Sequence, residues 1–165
     1  MVVHYVERRP YRRICGVFPT LFLNLNGIFL IPFRITMWVV HFTALICVSR
    51  GSKRMIIESS LPDEYLHADY VFLCNATNLC LATSFLCLFF NMWGIVTGRT
   101  LRYGLDNFFQ GACDGAAGVL LILAWRFTAH VARLWHVFYF FTIIPTGFEL
   151  LVLLNSYIKG IDIYS

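Results

Sequence analysis

Trp135 to Leu154 reads WHVFYFFTIIPTGFELLVLL, an apolar run that holds a proline, Pro145, and one turn later a glutamate, Glu149. An uninterrupted apolar stretch of this length reads as a helix that crosses a bilayer. A carboxylate inside such a helix is expensive, so it marks either an ion pathway or a buried contact between helices. Which of the two applies decides whether the chain performs chemistry or holds other molecules in place.

The rest of the chain has the same character. Of its 165 residues 59% are hydrophobic and only 13% charged, and its mean hydropathy is +0.70. A water-soluble domain carries about a quarter charged residues, so a small polytopic membrane protein folded as one unit is expected. Aromatic residues, 17% of the chain, gather near the ends of the apolar runs, where interfacial belts form. The six cysteines do not form a disulfide framework, because Cys74, Cys80, Cys87 and Cys113 sit inside apolar runs as small hydrophobes. Cys15, after Tyr11 to Arg13, has a setting compatible with acylation at a membrane surface. No cysteine–histidine pattern, nucleophile elbow, nucleotide loop or HExxH is present, so no metal, cofactor or catalytic residue is expected.

Four segments are long enough, or nearly so, to cross about 30 Å of hydrocarbon. They are 33–48, 70–97, 108–127 and 134–157, and together they predict an all-α antiparallel four-helix transmembrane bundle over 32–158. Arg34, at the edge of the first, is expected to snorkel to the surface. Ser49 to Asp69 is expected to be the one sizeable loop, in which LPDEYLHAD starts a short helix leading into the second span, with Pro62 early and Asp63 and Glu64 in its first turn. Gly98 to Asn107 and Arg126 to Arg133 are tight turns that force antiparallel neighbours. Lysine and arginine number eight on the side of the termini and five on the other, which places both termini in the cytosol. Residues 1–31 read as an interfacial or poorly ordered extension, and 159–165 as a short cytosolic tail. Ile14 to Phe33 is itself apolar, but Pro19, Asn24, Asn26, Gly27 and Pro32 argue against a fifth span; an upstream start, with Met37 the next methionine, is an alternative.

Four polar side chains within the spans need explanation: His41, Asn91, Asp114 and Glu149. Counted from the cytosolic helix ends at about 1.5 Å per residue, they fall at roughly 9 to 14 Å and are expected to share one layer. A packing cluster is the favoured reading, each contact contributing about 0.6 to 2 kcal/mol. The alternative is a small proton-coupled transporter or channel using Asp114 and Glu149, but so few polar positions line an aqueous route poorly. Gly111 and Gly115 form a GxxxG beside Asp114, and Gly94 and Gly98 form a second; small residues let helices approach closely. Pro145 is expected to bend the fourth helix near Phe141, its freed carbonyl taken up by a neighbouring helix or by Thr142. Asn75 to Thr77 matches a glycosylation acceptor but lies in the second span, and His130 and His136 read as interfacial residues.

Over Pro32 to Leu154 this arrangement resembles the transmembrane protein 107 family. The resemblance is carried by Pro62, Asp63, Glu64 and Tyr65 before the second helix, and by Gly111 and Cys113 early in the third. Trp135, Pro145 and Glu149 at the family's spacing in the fourth helix, and Arg34 and His41 in the first, complete it. The N-terminal extension and Asp114 depart from the family pattern. The resemblance implies a non-enzymatic component of the ciliary transition zone that supports cilium assembly and controls ciliary membrane content. It implies partners among tectonic-type and Meckel-syndrome-type membrane proteins, in addition to the lipid bilayer, and neither nucleic acid nor a small-molecule substrate. On this reading Glu64, Tyr65, Asp114, Pro145 and Glu149 serve packing or partner contact, together with the 49–69 loop. An accessory subunit of another membrane assembly is a further alternative.

Overall fold

The computed structural model describes residues 26–98, 100–102 and 104–158. These residues fold into four helices, each long and apolar enough to cross a membrane: α1 (Asn26–Ser59), α2 (His67–Thr97), α3 (Gly104–Arg126) and α4 (Val131–Ile158). The chain is a multi-pass all-α membrane protein, in agreement with its composition. Large hydrophobic side chains such as Leu79, Phe89, Val119, Leu151 and Leu154 point outward, as a helix bundle in lipid requires. Ala44, Leu45, Val48, Leu88, Ala117, Leu121 and Leu134 form the interior.

The first helix is longer at both ends than the sequence suggested. It opens on one π turn, Asn26–Leu30, so 26–31, assigned above to the extension, is helical, while the earlier part of the extension, with Cys15, lies outside the described residues. At its other end α1 runs through Ser59, across the charges that made 49–69 look like a loop. The reason is amphipathicity. Val48, Ser52, Met55 and Ile56 recur at helical spacing and are buried, while Arg50, Lys53, Arg54 and Glu58 ride the opposite face. Arg54 Nε donates to Glu58 Oε1 at 2.8 Å, a pair one turn apart.

The loop between α1 and α2 is therefore 60–66. The helix expected to start at Pro62 is not formed; Leu66 is extended, and α2 begins at His67 with Asp69 in its first turn. At its far end α2 stops on Gly98, whose φ of +67° is open to glycine at little cost. Gly98 is thus a helix terminator rather than half of a packing motif, and a Cβ there would meet nothing within 4 Å. Residues 159–165 lie outside the described part of the chain.

Both intrahelical prolines share one device. Pro32 follows the π turn Asn26–Leu30 and Pro145 follows the π turn Tyr139–Ile143, each as the second residue after the turn ends. A proline ring collides with the carbonyl four residues back and cannot donate to it. The wider π turn moves that carbonyl away, so the helix continues. In α4 the Thr146 hydroxyl also donates to the Thr142 carbonyl at 2.7 Å.

Helices α1 and α3 run in the same direction and make the most extensive contact in the bundle. Gly111 lies against the Phe33 ring and the Arg34 backbone, Gly115 against Met37 Sδ, and Gly118 against Val40 and the His41 backbone. Further along, the roles reverse and Gly51 of α1 receives the Trp125 ring of α3. The two connections at this end are joined where the Val131 amide donates to Ser60 Oγ at 3.0 Å.

This seam gives a direct test. A Cβ at Gly118 would stand 2.8 Å from Val40 Cγ1 and 3.3 Å from the His41 amide nitrogen. Gly118→Val is expected to cost about 1 to 3 kcal/mol through overpacking. Gly147 faces open space, and Gly147→Ala is expected to be neutral or to gain up to about 1 kcal/mol from helix propensity. Unfolding in detergent micelles measures both; equal losses at the two glycines would contradict the packing described.

Candidate functional site

The polar residues of the interior gather where α1 and α3 begin, α2 ends and the second half of α4 passes. Arg34 is at the centre. It is 1% exposed and turned inward, contrary to the expectation that it snorkels. Its Nη2 stands 2.8 Å from Glu149 Oε2, and Glu149 is fully buried. Neither atom has a hydrogen-bond partner among the described residues, so the pair is an ion pair at close range. Arg34 Nη1 donates to Asn107 Oδ1 at 2.9 Å and lies 3.4 Å from both Thr100 Oγ1 and Asp106 Oδ2.

Secondary contacts fix these groups in turn. Asn107 Nδ2 donates to Asn26 Oδ1 at 2.9 Å and to the Leu101 carbonyl at 2.8 Å, and Asn26 Nδ2 donates to the same carbonyl at 2.8 Å. Gln110 Nε2 donates to the Pro145 carbonyl at 2.7 Å, tying α3 to α4 just after its π turn. Gly94 of α2 makes room for the Glu149 carboxylate, which occupies the place a Cβ would take. All four helices and the 3₁₀ turn Thr100–Arg102 thus meet around one guanidinium.

A second pair sits two turns deeper. Arg34 and His41, like Asn107 and Asp114, are seven residues apart, or about 10 Å along a helix. His41 Nδ1 lies 2.8 Å from Asp114 Oδ1, with both side chains buried. The pair bridges α1 and α3 beside the seam built on Gly115 and Gly118. Among the described residues His41 Nε2 has no hydrogen-bond partner.

The single layer expected for His41, Asn91, Asp114 and Glu149 is therefore corrected to two levels. Glu149 pairs with Arg34, and Asp114 with His41. Asn91 is buried on α2, its amide oxygen without a partner, and joins neither pair through any contact found among the described residues. Gly111 and Gly115 line the α1–α3 seam, and Pro145 is buried with its carbonyl on Gln110. Trp135, Glu64 and Tyr65 lie at the opposite end of the bundle. Trp135 packs its ring 5.8 Å from Phe138 and 5.7 Å from Tyr139, Glu64 is exposed, and Tyr65 stands 6.3 Å from Tyr70.

Arg34 was expected at the surface and Asn26 only as a residue unsuited to a span, while Asn107 and Gln110 were given no role in the sequence. A signal for the last two exists: Asn107, Gln110, Asp114 and Leu121 share one face of α3 with Gly111 and Gly118. A polar stripe in register with a small-residue stripe points to a partner helix rather than to lipid. Among the described residues no three histidine, cysteine, aspartate or glutamate side chains gather as a metal would require. The arrangement sets Arg34 against Glu149 and His41 against Asp114, each pair bridging two helices.

Comparison with known families matches the chain over residues 30–153 to the model of TMEM107, a family described as transmembrane protein. No curated protein and no solved structure gives a match.

Removing one member of a buried ion pair leaves the other charge unpaired, at a cost of about 3 to 5 kcal/mol. Arg34→Gln and Glu149→Gln are each expected to lose about this much stability, and the double variant to lose less than the sum of the two. Unfolding of the four proteins in a double-mutant cycle measures the coupling; additive losses would show that the two side chains act separately.

Proposed function

The chain belongs to the TMEM107 transmembrane protein family, and from that premise we propose that it is a non-enzymatic scaffold of the ciliary transition zone. It supports cilium assembly and the control of ciliary membrane composition by presenting helix faces to other membrane proteins of that zone, of the tectonic and Meckel-syndrome types. The match over residues 30–153 carries the proposal. It is supported by the chemistry of the interior, where Arg34 answers Glu149 and His41 answers Asp114, so that the buried charges are spent on helix–helix contact. The positive balance of lysine and arginine on one side supports an orientation with both termini in the cytosol.

The partner-facing surfaces are the lipid-exposed flanks of the helices and the 60–66 loop, where Glu64 and Tyr65 are exposed. The rival reading, a proton-coupled transporter, would use the same acids as relay groups. Localisation and flux separate the two. In a ciliated cell whose own copy is removed, the tagged chain is expected to concentrate at the ciliary base and restore cilium number. Glu149→Gln is expected to lower its abundance there, in step with its loss of stability. Mitochondrial signal, or proton flux in reconstituted vesicles that vanishes in Glu149→Gln, would overturn the scaffold.

A further inference from the structure

We propose that the cavity beside the turn between α3 and α4 binds one anionic phospholipid, its phosphate held by Arg133, His130 and Thr128 and an acyl chain laid along Leu120, Leu123 and Val137. The cavity measures about 510 Å³. This is within the roughly 300–1,000 Å³ range of small-molecule sites. It lies at the far end of the bundle from Arg34, on the side away from the cytosol in the orientation proposed above, and lipid binding by the purified chain depends neither on that orientation nor on a ciliary location.

Three observations identify the occupant. First, the lining is divided as a phospholipid is. Leu120, Leu123 and Val137 lie deeper in the spans, whereas Thr128 and His130 belong to the turn and Arg133 to the first turn of α4, where a headgroup sits. Leu120 and Leu123 are 39% and 46% exposed, so the apolar wall is open to the surrounding lipid.

Second, the charge is complementary to an anion. From Gly115 to Phe148 the chain has no aspartate or glutamate, yet it holds Arg126 and Arg133. The acids of the same end, Glu58, Asp63, Glu64 and Asp69, belong to α1, the 60–66 loop and α2. Glu58 is paired with Arg54, and among the described residues none of the four forms an ion pair with Arg133.

Third, the lining supplies the donor types that a phosphate oxygen takes. His130 caps the start of α4, its Nδ1 accepting from the Ala132 amide at 3.2 Å. A nitrogen that accepts carries no proton, so in the neutral ring the proton is on Nε2, leaving a donor on the other edge. Arg133, exposed three residues later on α4, adds a planar fork matched to phosphate, and Thr128 adds a hydroxyl.

The test uses the full chain, purified and delipidated in detergent, titrated with phosphatidylglycerol or phosphatidylcholine and read by native mass spectrometry. The expected result is one tightly held phosphatidylglycerol, bound in preference to phosphatidylcholine and not displaced by inorganic phosphate. Arg133→Gln is expected to weaken it about fivefold, and Leu123→Trp, which fills the cavity from its exposed wall, to abolish it. Arg54→Gln, a cation outside the cavity, is expected to leave it unchanged. Unfolding temperatures in lipid-free detergent accompany each variant, so lost binding counts only in a folded protein; if Leu123→Trp does not fold, Arg133→Gln decides alone. Equal retention of both lipids, or equal weakening by Arg54→Gln and Arg133→Gln, would overturn the proposal, because either marks a general lipid shell. Displacement by inorganic phosphate alone would also overturn it, reducing the site to an anion site.

Discussion

The contact between Arg34 and Glu149 is the constraint around which the bundle is arranged. A lone guanidinium or a lone carboxylate buried among apolar helices carries a desolvation cost of several kcal/mol. Brought to 2.8 Å, each supplies the other's counter-charge, and the pair ties the start of α1 to the second half of α4. The rest of the end follows from it. Asn107 must be placed to accept from Arg34, Asn26 and the Leu101 carbonyl must then take up the Asn107 amide, and α2 must carry glycine at 94 so that the carboxylate fits. In lipid, where apolar contact offers helices no advantage over acyl chains, such polar pairing and close backbone approach decide which helix meets which.

The two levels of buried polarity divide this task. The Arg34 level draws on all four helices, whereas the His41–Asp114 level serves the α1–α3 seam alone. Between and beyond them Gly111, Gly115 and Gly118 bring the two helices close enough for the shorter Asp114 side chain to reach the imidazole. The prolines fit the same plan. A π turn before Pro145 lets α4 stay helical through it, and Gln110 takes the Pro145 carbonyl, so the site of potential weakness becomes a link to α3.

Much of this was legible in the sequence, and the failures have physical causes. Spans α2, α3 and α4 followed from apolar length alone. The first helix was underestimated because the charges of 50–58 hid a buried stripe at Val48, Ser52, Met55 and Ile56; periodicity, rather than charge density, was the informative signal there. Pro62 misled in the opposite sense, since a proline suits the first turn of a helix but equally suits the extended 60–66 connection. Arg34 was assigned to the surface because long cations near helix ends usually snorkel. What overrides that tendency is a buried carboxylate at the same depth. Glu149 was visible as an anomaly, but it was grouped by depth with His41, Asn91 and Asp114, and Arg34 was given to the surface. Depth counted along straight helices therefore merged two levels about 10 Å apart.

The account turns on whether the Arg34–Glu149 pair holds one end of the bundle together. Amide hydrogen exchange of the wild-type chain and of Glu149→Gln, each in lipid nanodiscs and resolved by peptide, measures this most directly. Protection is expected to fall together in the first turns of α1 and α3, the last turns of α2 and the second half of α4. The opposite end, around Ser60 and Val131, is expected to keep its protection. Unchanged exchange, or loss confined to α4, would contradict it.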